Sequence, residues 1–180
     1  MNAAPAPLLV AESRRCIRSE LLLFADLGFS LAAGETLLLT GPNGSGKTSL
    51  LRLIAGLLPP REGRLLWRGQ DTAEEPDSFR RELCWVGHAE GLKPPLTVLE
   101  NLDFSCRLAG GSPTPAALDR ALATVGLARL GDQPARYLSA GQRRRLALAR
   151  AVVLARPLWL LDEPTTALDE DGQAMLIRIL

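Results

Sequence analysis

The sequence of 180 residues contains a single histidine, His88, and only two lysines, Lys47 and Lys93. It also lacks an excess of charge of either sign, since 21 Lys plus Arg face 20 Asp plus Glu and the net charge at pH 7 is +1. Such a chain has no overall field to attract nucleic acid or an anionic membrane surface. We therefore expect no nucleic-acid partner, and any charged ligand must be bound by a local group of residues.

Long apolar runs and a paired set of cysteines are missing as well. No segment approaches the roughly 18 to 20 apolar residues that span a bilayer, and the N-terminus lacks the basic start and apolar centre of a signal peptide. Cys16, Cys84 and Cys106 are odd in number and scattered, which indicates reduced thiols in a cytosolic chain. Cys84 and His88 have no second pair at ligand spacing, so the pattern does not favour zinc.

Short apolar runs alternate with segments of helical periodicity, which is typical of an α/β fold. The apolar runs predict strands at residues 35–41, 63–69, 82–87 and 158–161. The periodic segments predict helices at residues 47–57, 96–110, 113–127 and 139–155. We expect a single domain over residues 1–180, with a core lobe of about residues 1–91 and 156–180 and a helical subdomain of about residues 92–155.

Local signals mark the ends and faces of these helices. Thr97 and Glu100 stand in the relation of a capping box at the start of one helix, and Gly126 closes the next. On the last of them, the consecutive Arg143, Arg144 and Arg145 predict a basic face that is mostly solvated.

A glycine-rich loop joins the first predicted strand of this series to its helix and reads GPNGSGKT, a match to the pattern G-x-x-x-x-G-K-[ST]. Its glycines let successive backbone N–H groups converge on a phosphate, and the following helix offers its positive N-terminus. In such a loop Lys47 contacts the β and γ phosphates and Thr48 gives its hydroxyl to Mg²⁺. The alternative is a glycine-rich turn with an exposed lysine. The predicted nucleotide-binding residues are Gly41, Pro42, Asn43, Gly44, Ser45, Gly46, Lys47 and Thr48.

Two adjacent carboxylates, Asp162 and Glu163, end the apolar run at residues 158–161. Carboxylates at the end of a buried strand are costly unless they meet a cation or a polar ligand. Asp162 fits the Mg²⁺ shell, and Glu163 fits a catalytic base that orients or deprotonates an attacking water. The alternative is that both lie at a solvated strand end.

Four motifs, in the order GPNGSGKT, LSAGQ, LLDEP and TALD, resemble the nucleotide-binding domain of ATP-binding cassette (ABC) proteins over nearly the whole chain. The resemblance implies a P-loop ATPase of the ABC cassette type, with a RecA-like α/β core, an antiparallel β part and an inserted α-helical subdomain. LSAGQ stands where the family has its signature sequence LSGGQ, which contacts the γ phosphate of an ATP held by a second subunit in a head-to-tail dimer. The resemblance assigns this role to Ser139, Ala140, Gly141 and Gln142, and places Asp169 in the D-loop.

Within this family, the segments around GHAEGL and LSAGQRRR are similar to the haem-exporter ATPases of cytochrome c maturation, which have Gly-His where many cassettes have Pro-Gln. That resemblance implies a peripheral subunit on the cytoplasmic face of the bacterial inner membrane. It would bind integral-membrane subunits and couple ATP hydrolysis to haem export. The composition itself does not indicate haem. The alternatives are a subunit of another bacterial ABC exporter, a soluble cassette protein, or a module that binds nucleotide without turnover.

Three positions depart from the common cassette pattern. His88 stands where most cassettes have a glutamine near Mg²⁺ and the attacking water; a neutral imidazole can take over that contact, and the alternative is a histidine that only packs against the membrane partner. Arg18 falls where the family stacks an aromatic ring on adenine, and a guanidinium can also stack on a base. After Asp169 the family continues with a strand and a switch histidine, so the resemblance implies a truncated cassette with slow ATP hydrolysis.

Overall fold

The computed structural model describes residues 6–18, 21–58 and 62–180, without the side chains of residues 13–18, 21–26 and 62. The chain divides into two compact units, an N-terminal unit (Met1–Arg80) and a C-terminal unit (Arg81–Leu180).

An antiparallel sheet forms the main part of the N-terminal unit. Its strands are β1 (Pro7–Arg18), β2 (Leu21–Ala32), β3 (Glu62–Trp67) and β4 (Gln70–Asp71), in the spatial order β2-β1-β3-β4. Alternate residues of the sheet, such as Leu65 and Trp67, are buried, and the Trp67 ring packs on Phe79 at a centroid distance of 5.8 Å. Phe79 belongs to the short helix α2 (Pro76–Arg81). The strand predicted at residues 63–69 is thus confirmed as β3, and its burial on one face gives this unit its core.

The strand predicted at residues 35–41 is wrong. These residues have no regular secondary structure, and Leu37 and Leu38 are 43% and 79% exposed. An apolar run indicates a tendency to be buried, but a strand also needs a neighbouring backbone to supply its hydrogen bonds. In the described part of the N-terminal unit, the paired strands are β1 to β4, and residues 35–41 lie outside that ladder. The helix predicted after them is confirmed as α1 (Lys47–Ile54).

A parallel strand pair and a set of helices form the C-terminal unit. The strands β5 (Leu83–Val86) and β6 (Leu158–Leu161) pair in register from Leu83 with Leu158 to Val86 with Leu161. Both strands were predicted and are confirmed, as are three helices. The helices are α3 (Val98–Leu108), α4 (Pro115–Thr124), α5 (Ala140–Leu154) and, near the C-terminus, α6 (Glu170–Ile179), with short 3₁₀ turns at Ala128–Leu130 and Ala135–Tyr137.

The predicted helix boundaries rest on local hydrogen bonds that the structure contains. Thr97 and Glu100 form a complete capping box at the start of α3, with the Thr97 hydroxyl accepting from the Glu100 N–H. Thr114 caps α4, which has Pro115 in its first turn. Gly126 follows α4 with a φ of 76°, a left-handed conformation that glycine adopts without a steric penalty.

Helix α5 lies at the centre of the C-terminal unit and packs against α3, α4 and β5. Leu146, Leu148, Ala149 and Ala151 are all buried, and small alanines allow the neighbouring helices to approach closely. Because so much of its surface is covered, α5 has no broad solvated face. The predicted basic face at residues 143–145 is therefore wrong at its centre, since Arg144 is 3% exposed.

No helix in the described ranges is both long enough and apolar enough to cross a lipid bilayer.

One buried side chain, Asn101, fixes the segment before α3 to that helix. Its Oδ1 accepts from the Lys93 N–H at 2.7 Å, and its Nδ2 donates to the carbonyl oxygens of Lys93, Leu96 and Thr97 at 3.0, 3.1 and 2.9 Å. Asn101 is 2% exposed, so these main-chain groups have little access to water. The side chain therefore replaces water as their hydrogen-bond partner.

We expect Asn101→Leu, which keeps the shape but removes the hydrogen bonds, to lower the free energy of unfolding by about 2 to 4 kcal/mol, because several buried polar groups lose their partner. Urea denaturation followed by circular dichroism measures this loss. The control Asp119→Leu, at an exposed position of α4, should change the value by about 0.5 kcal/mol or less. Equal stability of the Asn101→Leu and unsubstituted chains would contradict the prediction.

Candidate functional site

The loop before α1 has a backbone that requires glycine. Gly41, Gly44 and Gly46 have φ angles of 148°, 85° and 95°, which side chains of L-residues rarely allow. A Cβ at Gly41 would also lie 2.9 Å from Ser45 Oγ. Gly46 is the N-cap of α1, so the loop leads directly into the positive end of that helix.

The ammonium group of Lys47 folds back over this loop. Its Nζ donates to the carbonyl oxygens of Gly41 and Pro42 at 2.8 and 2.9 Å. The first turn of α1 contains no acidic side chain. A positive charge, a helix N-terminus and a glycine-rich backbone thus occur together. This combination is typical of loops that bind phosphate. Thr48 is the second residue of α1 and lies in the same turn.

In the C-terminal unit, the chain turns sharply after β6. The Asp162 N–H donates to the Val86 carbonyl at 2.9 Å, which extends the strand pairing by one residue, and Asp162 is buried. Glu163 then adopts a φ of 49°, and its side chain is 49% exposed. This left-handed conformation costs a non-glycine residue about 1 kcal/mol or more. The turn separates the two carboxylates, so that Asp162 is enclosed and Glu163 is accessible to solvent.

His88 and Glu163 lie next to each other. His88 Nδ1 is 3.6 Å from Glu163 Oε2, and the Thr166 hydroxyl donates to the same oxygen at 3.4 Å. The imidazole is 75% exposed, so both groups are open to a ligand from solvent. The structure thereby brings together the two residues that the sequence suggests for catalysis. Thr166 was not found by sequence reasoning, because its hydroxyl is recognised only from its distance to the carboxylate.

The LSAGQ segment forms the N-terminus of α5. The Ser139 hydroxyl accepts from the Gln142 N–H at 3.2 Å, while Gln142 Oε1 accepts from the Ser139 N–H at 2.9 Å. A Cβ at Gly141 would lie 2.8 Å from the Ala167 carbonyl oxygen, so glycine lets the backbone before α6 approach the helix. The residues Gly126, Leu127, Ser139, Gly141, Gln142, Arg145 and Asp169 line a cleft here.

Asp169 connects this cleft to α6. Its Oδ1 accepts from the Gly172 N–H at 2.8 Å as the N-cap of α6, and it lies 2.5 Å from Arg145 Nη2. The Gly172 N–H, and then the Arg145 guanidinium, hold the pKa of Asp169 below its usual value. The structure therefore unites the predicted signature and D-loop residues around a carboxylate that is charged at neutral pH.

Arg144 is the residue that sequence reasoning misplaced. Its guanidinium is enclosed and donates to the main-chain carbonyls of Gly87, Asp162 and Pro164. The sequence did contain an indication that Arg144 is buried. Residue 144 shares the helical spacing of i, i+4 and i+7 with the buried Leu148 and Ala151. The side chain of Arg18, suggested for adenine stacking, lies outside the described part of the structure.

Within the described residues, no three His, Cys, Asp or Glu side chains are grouped so that they alone could hold a metal ion. Burial also raises the pKa of the Cys84 thiol, which disfavours the thiolate form that binds metals. Thr48 belongs to the N-terminal unit and Asp162 to the C-terminal unit; each offers an oxygen, the donor that Mg²⁺ prefers.

These loops, in their chain order, define a P-loop ATPase cassette. The family model described as ABC transporter matches residues 24–166, and the chain belongs to this family of ATP-binding proteins. The fold is that of solved cassettes. An ATP-binding subunit of an ABC transporter is 27% identical, with a TM-score of 0.82, and the match covers 95% of this chain and 72% of that one. A bacterial Atm1-family ABC exporter with ATP bound is 27% identical with a TM-score of 0.83, and the match covers 99% of this chain and 33% of that one.

Curated relatives narrow the resemblance further. The chain is 48% identical over 180 residues to the cytochrome c biogenesis ATP-binding export protein CcmA of Methylococcus capsulatus, covering 100% of this chain and 86% of the relative. It is 52% identical over 173 residues to the protein of the same name from Rhodospirillum rubrum, covering 96% and 73%. The predicted P-loop cassette fold and the resemblance to this branch of the family are thus confirmed.

The close approach of Ala167 to Gly141 can be tested by substitution of the glycine. An alanine at residue 141 has two opposite effects on the free energy of unfolding. Alanine favours a helix over glycine by about 1 kcal/mol, yet a Cβ at residue 141 meets a backbone oxygen at 2.8 Å. We expect Gly141→Ala to lower the free energy of unfolding by about 1 to 3 kcal/mol. It should also speed amide hydrogen exchange at residues 167–169, which mass spectrometry measures.

The matched control is Gly131→Ala, because Gly131 has a right-handed φ of −48° and its nearest Cβ contact would be at 4.0 Å. This change should be neutral or slightly stabilising. A Gly141→Ala chain that gains stability like the control would show that the approach of residue 167 is not tight.

Proposed function

We propose that this chain is the ATP-binding and ATP-hydrolysing subunit of an ABC export complex, and that it couples hydrolysis to haem export in cytochrome c biogenesis. Membership of the ABC family supports the ATPase activity. The names of relatives that are 48% and 52% identical support the export role in cytochrome c biogenesis. The observation that carries the proposal is the accessible Glu163 beside His88, next to the buried Asp162 at the end of a parallel strand.

The loop Gly41–Thr48 would hold the triphosphate of ATP. Positive φ angles at its glycines would let backbone N–H groups turn toward the phosphates, and a Cβ at Gly41 would lie 2.9 Å from Ser45 Oγ. Lys47 brings the only positive side chain of the loop to the same place. Its charge would be shared between loop carbonyls and the β and γ phosphates.

Thr48 and Asp162 would supply protein oxygens to the Mg²⁺ that accompanies ATP. The chemistry of the donors fits, because Mg²⁺ takes one or two protein oxygens together with phosphate oxygens and water. When bound, Mg²⁺ neutralises charge that develops on the phosphates. Asp162 is buried and Glu163 is half exposed, so the two carboxylates lie in different surroundings and can have separate roles.

Glu163 would act as the catalytic base for the attacking water. A carboxylate that is half exposed can accept a water proton, and Thr166 and His88 approach the same Oε2 and so restrict its rotation. His88 would in addition contact the water or Mg²⁺ through a ring nitrogen. Its place beside Glu163 supports this role over one limited to packing against a membrane partner.

The cleft at Ser139, Ala140, Gly141 and Gln142, with Asp169 at its edge, would receive the ATP of a second ATP-binding subunit in a head-to-tail dimer. Ser139 and Ala140 are exposed at a helix N-terminus, where an anion is favoured.

Integral-membrane subunits of the haem-exporter type would bind this dimer at the cytoplasmic face of the inner membrane and change conformation with it. Purification from solubilised membranes, with identification of the bound integral subunits, tests this assignment.

Lys47→Ala should raise the Kd for ATP by about 100-fold or more, because hydrogen bonds to charged groups contribute about 1.5 to 3 kcal/mol each. Titration with a fluorescent ATP analogue measures the change. The control is Lys93→Ala, since Lys93 is exposed and is the only other lysine in the sequence. An unchanged Kd in a folded Lys47→Ala chain would refute the proposed nucleotide site.

Glu163→Gln should leave the Kd for ATP nearly unchanged and slow hydrolysis by about 10²- to 10⁴-fold, because the amide cannot accept the water proton. The ATP-bound dimer should then accumulate, which light scattering in ATP and Mg²⁺ detects. Glu74→Gln, at an exposed turn of the N-terminal unit, is the control for loss of a carboxylate. Full hydrolysis by Glu163→Gln would exclude Glu163 as the base.

A further inference from the structure

The buried guanidinium of Arg144 joins two loops that are distant in the sequence. Its Nη1 donates to the Gly87 carbonyl at 2.7 Å, its Nη2 donates to the Asp162 carbonyl, and its Nε donates to the Pro164 carbonyl at 3.4 Å. Gly87 directly precedes His88, and Asp162 and Pro164 flank Glu163. One side chain thus donates hydrogen bonds both to the main chain next to His88 and to the main chain around Glu163.

The strands alone do not hold these loops together at the site. Among the described residues, the last main-chain hydrogen bond between the two segments joins the Asp162 N–H to the Val86 carbonyl. Beyond it, the chain turns at Glu163 and the loop after Gly87 leaves the sheet. Arg144 bridges the two segments at this point, and a planar guanidinium presents its donors at fixed angles. Its donors therefore connect the two backbones where the strand pairing has ended.

Packing by itself does not explain an arginine at this place. Burial lowers the pKa of Arg144, and the negative charges of Glu90, Asp162 and Glu163 oppose that effect. A buried cation is costly unless its hydrogen bonds are satisfied, and an apolar side chain would fill the same volume at less cost. The neighbouring Arg143 and Arg145 instead form ion pairs with carboxylates, with Glu90 at 3.6 Å and with Asp169 at 2.5 Å.

We infer that Arg144 is a positioning residue for ATP hydrolysis, which holds the main chain at Gly87 and at Asp162–Pro164 so that the His88 imidazole and the Glu163 carboxylate face each other. The inference rests on the proposed role of Glu163 in hydrolysis. Arg144 donates to backbone carbonyls and acts through the two side chains. A residue that only stabilises the fold would change the melting temperature but would leave the coupling of His88 with Glu163 intact in the folded chain.

Nuclear magnetic resonance measures that coupling without nucleotide, because His88 is the only histidine and gives a single imidazole Hε1 signal. We expect Glu163→Gln to shift this signal in the otherwise unsubstituted chain, since the carboxylate is 3.6 Å from Nδ1. In an Arg144→Met background, which keeps an unbranched apolar stem, the same substitution should no longer shift it. An equal shift in both backgrounds overturns the inference.

Single-turnover hydrolysis of radiolabelled ATP is the second measurement. Arg144→Lys keeps the charge but not the planar fork. We expect the rate constant to fall by about 100-fold, a loss that a displacement near 1 Å can cause, with the Kd for ATP unchanged. Arg120→Met, at an exposed position of α4, is the control. A normal rate in folded Arg144→Lys overturns the inference, as does a loss of rate that only follows a loss of affinity.

The outcomes separate this inference from the proposed function. If the unsubstituted chain does not hydrolyse ATP, the proposed function fails, while the magnetic resonance experiment still decides whether Arg144 positions the two side chains. If Arg144→Met does not fold, both the magnetic resonance shift and single-turnover hydrolysis are measured on Arg144→Lys. Unfolding of both variants would mean that Arg144 maintains the fold, and the inference would then be overturned.

Discussion

The parallel pairing of β5 with β6 is the constraint on which the C-terminal site depends. Two parallel strands end at the same edge of a sheet, so the segments that follow them start side by side. The register aligns Val86 with Leu161, and the next residues on each strand lead to His88 and to Glu163. A shift of one residue would turn the alternating side chains to opposite faces and separate this pair. Backbone hydrogen bonds thus bring the two segments side by side, and the Arg144 side chain bridges them beyond the last of these bonds.

Helix α5 connects this strand pair to the cleft at Asp169, because it has contacts with both. At its N-terminus, Ser139 and Gln142 cap the helix and form part of the cleft with Asp169. In its second turn, Arg144 donates to the carbonyls of the loops after β5 and β6. Further along, Arg150 donates to the Trp85 carbonyl. The same buried helix therefore fixes the end of the strand pair and the position of the signature segment, which are the two parts that the proposed mechanism needs at once.

The preference of this chain for arginine over lysine has a structural meaning in the C-terminal unit. Arg144, Arg150 and Arg156 all donate to main-chain carbonyls, and Arg156 reaches both Leu83 and Ala109. A guanidinium offers five donors in a plane and can satisfy several carbonyls, whereas an ammonium is a compact and strongly hydrated charge. Lys47 lies instead in a loop where a point charge suits phosphate groups. These three arginines of the C-terminal unit therefore bind the backbone, whereas Lys47 is the basic residue that we propose for phosphate binding.

The sequence by itself determined the features that depend on neighbours along the chain. Sequence alone predicted the loop from Gly41 to Thr48 and the capping box of Thr97 with Glu100. Both predictions were possible because glycine conformation and helix capping depend on only a few neighbouring residues. Tertiary structure alone decided which groups meet across the fold. It enclosed Arg144, which looked solvated, brought His88 to Glu163, and left residues 35–41 without a paired strand. The physical reason is that burial and strand pairing are supplied by residues far away in sequence, and a local pattern does not specify them.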